Sequence, residues 1–323
     1  MRVFILFLIT TIFLQANWKD ERENLDKLYT LGEFRVFYTL KGENALPKEN
    51  QIDLNNNNTP DYIENITQRL KVTHDVFTKL LGFQNPLKSK RYAQTKYVDI
   101  HILKSENSSA GDAIVTFDYK YFKSNEKVIS MKIRNDLDKD SMTPSHEYFH
   151  LLQNSYTMFK NRWYTEGTAR WSEKVFEKGT GERDNKLPSS IKELEELFTK
   201  TYETKGFWRK LAYECDTNNG TFNNTLNLKT DVPNYPNLIE DNKINGYEFI
   251  KTFLENLDIQ DNFVSKKRGL DEYDWDEKEQ IENDKNNIYI LIALKDSLTK
   301  TCNKNEEISQ FKNLIDLYIK GQK

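Results

Sequence analysis

The residues best equipped for chemistry lie in SHEYFHLLQ, residues 145–153, where His146, Glu147 and His150 make an HExxH pattern. On a helix, residues four apart share a face, so both imidazoles can reach one ion. A carboxylate beside them can take a proton from water that the ion activates. Two of the chain's four histidines are used here, and a shuffled chain of this composition would hold such a pattern roughly three times in a thousand. Thr143 followed by Pro144 predicts a helix start just upstream, with Thr143 as its cap. A catalytic zinc site needs three protein ligands and an open position for water. No histidine follows His150, so a carboxylate is expected as the third ligand. Glu166 in NRWYTEGTARWSEK, with 15 residues (151 to 165) between it and His150, suits a second helix turned back on the first. Gly167 beside it allows close backbone packing, which favours this choice. Glu173 is the competitor. If it is not a ligand, it either orients a ligand histidine from outside or is a solvated helix glutamate.

Hydrolysis by activated water also needs a donor for the developing oxyanion. Tyr247, opening NGYEFIKTFL, is the first candidate, followed by Tyr164 and Tyr213; each could equally be a core or rim aromatic. His74 and His101 have no chelating neighbour in sequence and are read as core or surface residues. Asp53, Asn55, Asn57, Thr59, Asp61 and Glu64 occupy positions 1, 3, 5, 7, 9 and 12 of a calcium-loop pattern, with Asn58 where glycine usually makes the turn. The same residues fit a capped loop whose acidic groups favour the start of the next helix.

The elements that must position these residues fall into two blocks. Strands are predicted at Glu33 to Leu40, Lys96 to Leu103, Ala113 to Phe117 and Lys127 to Ile133, with a helix from Pro60 to Leu81 among them. In the second of these strands, Val98, Ile100 and Ile102 share one side and Asp99 and His101 the other. The strand at 127–133 could serve as an edge for an extended substrate. Helices are predicted near 144–156, 164–177, 190–200, 246–257, 287–299 and 306–319, and the densely charged stretch 271–285 reads as a solvated linker or helix face. Strands early and helices late imply an α+β fold, an N-terminal mixed lobe followed by a mainly helical C-terminal lobe. The catalytic unit is expected over 17–257, with its strand-bearing lobe ending near 140 and a helical extension over 258–323.

With 47 basic and 50 acidic side chains, the net charge of −3 excludes a broad basic footprint for nucleic acid. Aromatics at 13% exclude a disordered chain, and a mean hydropathy of −0.78 excludes a polytopic membrane protein. At residues 1–16, Arg2 and the apolar run Val3 to Leu14 read as an export signal, too short to span a bilayer. The expected product is periplasmic or secreted; an uncleaved anchor is the alternative. Cys215 and Cys302 are available for one disulfide in an oxidising compartment, or stand as two free thiols.

SHEYFHLLQ followed by WYTEGTARWSEK resembles the glutamate-zincin (gluzincin) metallopeptidases. The resemblance is to exported bacterial members with HE-(F/Y)-FH, W-x-EG-(T/S)-A-x-W and an upstream D-x-N-x-N-G-x-P-D-Y-(I/V)-E. It covers roughly Phe34 to Glu173. It implies zinc held by His146, His150 and Glu166, Glu147 as general base, and a peptide or protein substrate. The contrasting expectation is a non-catalytic, calcium-stabilised exported binding protein with a vestigial metal site. A third is a zinc hydrolase acting on something other than peptides.

Overall fold

Tyr29, Phe34, Val36 and Tyr38 face the main core from either side of Gly32, whose φ of 59° makes the tight reversal between two strands. This hairpin, β1 (Lys27–Leu31) and β2 (Phe34–Tyr38), opens the computed structural model of the protein. The structure describes residue 22 and residues 24–177, 185–226, 228, 232–235, 238–239, 241–303 and 305–322. The export signal expected at 1–16 lies outside them. Among the described residues no helix is long and apolar enough to cross a membrane.

β3 (Tyr97–Leu103), β4 (Ser109–Ala110) and β5 (Val128–Arg134) complete a mixed sheet of order β1-β2-β3-β5-β4. The β2–β3 and β3–β5 pairs are parallel; the outer pairs are antiparallel. One face presents Phe34, Val36, Val98, Ile100, Ile129 and Met131 to the main core. The expected alternation in β3 holds, yet its polar side is not wet: Asp99 and His101 are fully buried. Arg35 forks onto Asp99 at 2.7 and 2.9 Å, and Tyr119 covers His101, its hydroxyl 2.9 Å from His101 Nε2. A buried carboxylate is tolerable only with such a full set of partners.

On the core face lies α1 (Asp61–His74), continued by a π-helical turn at Asp75–Leu80, so the helix predicted to Leu81 changes winding at its last turn. Next to it are α2 (Thr143–Tyr156) and α3 (Arg162–Ser172), the latter running into a 3₁₀ turn at Glu173–Phe176. α2 starts one residue earlier than predicted, and Thr143 makes no side-chain cap. Beyond α3 come α4 (Ile191–Phe198), α5 (Lys205–Glu214), α6 (Tyr247–Arg268), α7 (Asn286–Thr301) and α8 (Glu306–Gly321). α6 runs unbroken past residue 257, because Phe249, Phe253, Leu257, Asp261 and Val264 continue one buried face. The mixed sheet followed by helices makes the molecule α+β.

Three expectations need correction. Ala113 to Phe117 is not a strand; only Val115 bridges to Val128. β5 is not the free edge, since β4 and that bridge cover its outer side. The stretch 271–285 is not simply solvated: Trp275 is buried, its indole N–H donating to Ser265 Oγ and to the Asp271 carbonyl. Cys215, at the end of α5, is bonded to Cys302, at the end of α7.

Candidate metal centre

α2 carries His146 and His150 one turn apart on the face toward α3, while Tyr148, Phe149, Leu151 and Leu152 fill the core behind. Thr157 to Asn161 reverse the chain, with Met158 and Phe159 buried, and α3 returns antiparallel to α2. Trp163 and Trp171 fix the roll of α3. The Trp163 indole N–H donates to Asn287 Oδ1 at 2.9 Å, and Trp171 donates to the Asn245 carbonyl at 2.9 Å. Gly167 is required on this helix: a methyl there would meet Trp208 Nε1 at 2.7 Å, with Thr204 Oγ1 nearer still. Glu166, next to it, therefore faces α2.

The result brings His146, His150 and Glu166 together as a group that could hold a metal ion. His146 Nε2 lies 3.0 Å from His150 Nε2 and 3.3 Å from Glu166 Oε2; His150 Nε2 lies 3.6 Å from that oxygen. Ligands about 2.0–2.1 Å from a tetrahedral ion stand about 3.3–3.4 Å apart along an edge, so the three spacings match a tetrahedral face.

The surrounding hydrogen bonds dictate which ring nitrogens carry lone pairs. Gln153 Nε2 donates to the Thr165 carbonyl at 2.8 Å and to Thr168 Oγ1 at 2.6 Å, and that hydroxyl donates to the Tyr164 carbonyl at 2.8 Å. Backbone carbonyls only accept, so the Gln153 amide can face His150 only with its oxygen. His150 Nδ1–H donates to it at 2.7 Å, leaving a lone pair on Nε2. His146 Nδ1–H likewise donates to Glu173 Oε1 at 2.9 Å. Two nitrogen lone pairs and a carboxylate oxygen thus converge on one point, an arrangement that a cation stabilises and that otherwise repels.

In the absence of an ion, protons take its place between these groups. Burial would raise the Glu166 carboxyl, but hydrogen bonds from both imidazoles, then protonated at Nε2, outweigh it and hold it well below the usual range. Burial would lower the His146 imidazole, but Glu166 and Glu173 prevail and raise it to about 9. Glu147, 8% exposed, sits at the cleft floor. Burial pushes its carboxyl up, opposed by the His150 and His146 rings and by the Ala110 N–H that donates to it. Glu173 is 4% exposed, sits on His146 Nδ1 outside the His146–His150–Glu166 group, and accepts from Arg170 with both oxygens at 3.1 Å, so it is not a solvated glutamate.

The cluster opens into a cleft of about 1270 Å³ bounded by β4, α2, α3 and residues 274–281. Tyr202, which the sequence did not single out, lines it; the ring centroid is 6.0 Å from that of His146. Tyr247 does not line it. It packs half-buried against the core, because Gly246 (φ 65°) pins the start of α6 against the Ala212 backbone. Tyr164 is fully buried with its hydroxyl on the Phe159 carbonyl, and Tyr213 on α5 is likewise outside the cleft lining. Gln153 was also missed; its position three residues after His150 on the same helix was the available signal.

Elsewhere, the loop from Asp53 to Glu64 is closed by its own hydrogen bonds. The Asp53 carboxylate accepts from Asn57 and Asn58 N–H, Asp61 from Leu54 N–H, and Glu64 from the Asn55 and Asn57 amides. The Thr59 N–H donates to Asn57 Oδ1, and Asn58 takes the left-handed conformation (φ 70°) expected at glycine's place. His74 is a buried brace, bonded to Glu33 at 2.8 Å and to Tyr148 at 2.6 Å. Comparison of the chain with protein-family models, curated proteins and solved structures found no match.

Proposed function

We propose that the protein is a zinc-dependent endopeptidase whose metal is held by His146, His150 and Glu166. The observation that carries this reading is the convergence of two lone-pair Nε2 atoms and one carboxylate oxygen at tetrahedral-edge spacing, beside a second, buried carboxylate, Glu147, that is not part of the set. Zinc at that point supplies acidified water and polarises a carbonyl. Glu147 would accept the proton from water and hand it to the leaving amine, and a carboxyl pushed up by burial supports that reading. Tyr202 donates its hydroxyl to the developing oxyanion, taking the role expected of Tyr247. The outer side of β4 borders the cleft, and an extended peptide laid along it would cross above Glu147. Because the cleft is lined from residues 106–110 at one side to 274–281 at the other, it suits an internal stretch of chain rather than only a terminus. The Cys215–Cys302 bond and the apolar run at residues 3–14 support export. This is the chemistry of the gluzincins that the motifs resemble.

The test is metal content and casein cleavage on the purified chain. One zinc per chain is expected in the wild type and in Glu147→Gln, with cleavage in the latter reduced at least 10²-fold. Glu166→Ala should lose the metal. A wild type that takes up no zinc after supplementation would sink the reading.

A further inference from the structure

We infer that Gln153 is a positioning residue that sets the geometry of the metal ligands by tying His150 on α2 to the backbone beside Glu166 on α3. This rests on the metal reading above. Gln153 is 1% exposed and uses both ends of its amide. Its oxygen accepts from His150 Nδ1, and its nitrogen donates to the carbonyl of Thr165, the residue preceding Glu166. One rigid planar group therefore spans the ring of one ligand and the main chain of another. A lateral slip of α3 against α2 would have to break one of the two bonds.

The residue type follows from the same contacts. The two partners demand opposite things, an acceptor toward His150 and a donor toward Thr165, and only a carboxamide offers both in one plane. A glutamate would set a carboxylate oxygen against the Thr165 carbonyl at the 2.8 Å now occupied by an N–H. The two ligand histidines consequently differ. His146 is backed by a carboxylate, Glu173, and His150 by a neutral amide. Placing a second carboxylate behind His150 would ordinarily strengthen it as a donor, but here the cost falls on the α2–α3 contact.

The experiment compares the full-length wild type with Gln153→Ala, Gln153→Glu and Thr168→Val. Zinc affinity is measured by competition with a chromophoric chelator, and the zinc-loaded proteins are examined by NMR for the His150 Nδ1–H signal. Thermal unfolding of each metal-free protein reports folding separately. Gln153→Ala should bind zinc about 10–100-fold more weakly and lose the slowly exchanging Nδ1–H. Gln153→Glu should also bind more weakly than wild type, despite its charge. Thr168→Val, which removes one anchor of the Gln153 nitrogen but leaves the fold's core volume intact, should weaken zinc several-fold and keep the proton signal; it carries the test if Gln153→Ala does not fold. Zinc affinity within twofold of wild type in folded Gln153→Ala, or tighter binding in Gln153→Glu, overturns the inference while leaving the metal site standing. Failure of the wild type itself to bind zinc overturns the metal reading and this inference with it.

Discussion

At the scale of single residues, the division of labour in the cleft makes tyrosine a sharp test. Tyr202→Phe should retain zinc and lose about 10²-fold in kcat, whereas Tyr247→Phe should stay within twofold of wild type, both read from initial rates on one peptide. Equal effects would remove Tyr202 from its proposed role. The contrast also shows how far side-chain chemistry was legible. His146, Glu147 and His150 sit within one helical repeat, so local spacing places them. Glu166 follows after a single reversal, and Gly167 beside it marks a tight approach that the Trp208 contact bears out. Tyr202 reaches the site from the short turn Tyr202–Thr204, whose position depends on α5 docking against α3, and no spacing rule encodes that. Gln153 was quoted within the motif but passed over, since a neutral amide carries no charge signal and reveals its role only through its partners.

At the scale of elements, the site depends on how closely α3 can approach its neighbours. Gly167→Ala is expected to destabilise the fold by about 1–3 kcal/mol and to reduce zinc occupancy, because Trp208 and Thr204 must shift or α3 must move and take Glu166 with it. Urea unfolding and metal analysis on the same samples check both parts; a normal stability with normal zinc would show that α3 has slack. Long periodic segments such as α2, α7 and α8 were readable because one apolar stripe repeats over several turns. α5 was missed because Gly206 and three basic residues in KGFWRKLAYE blur the stripe that Phe207, Trp208, Leu211 and Ala212 form. The segment 113–117 looked like a strand by composition. Its apolar groups instead serve side chains, as where Phe117 meets the His101 ring at 4.9 Å and lies beneath the Arg22 guanidinium.

At the scale of the whole molecule, α6 ties the late helices to the reversal between α2 and α3, and the disulfide ties α5 to α7. Asp261 on α6 is 4% exposed and accepts the Met158 N–H at 2.7 Å, at the reversal between α2 and α3. Burial pushes its carboxyl up to about 7, with Asp258 adding and the Met158 N–H opposing. A raised pKa means the folded chain holds that proton more tightly than the unfolded one. The associated stability is fully present below pH ~4 and is lost as pH rises to about 7. Across that window the wild type should lose on the order of 4 kcal/mol relative to Asp261→Asn, measured by urea unfolding at each pH; parallel curves for the two proteins would refute this. Reduction of Cys215–Cys302 should cost a further 2–4 kcal/mol or so in the same assay. Cysteine count alone left that pairing open, because only the packing of α5 and α7 brings the two residues together.

The compactness of the ligand set in sequence has a kinetic consequence. His146 and Glu166 are 20 residues apart on consecutive helices, whereas the disulfide joins residues 87 apart. The entropy of closing a loop grows with its length, and local contacts form sooner than distant ones. The helical hairpin of α2 and α3 should therefore be able to capture the proposed ion while α6, α7 and α8 are still unstructured, with the covalent bond expected to close last. In pulsed hydrogen exchange during refolding, the proposed zinc should speed protection of the α2–α3 amides and leave the α7–α8 amides on their slower course, so that it would serve as a folding nucleus.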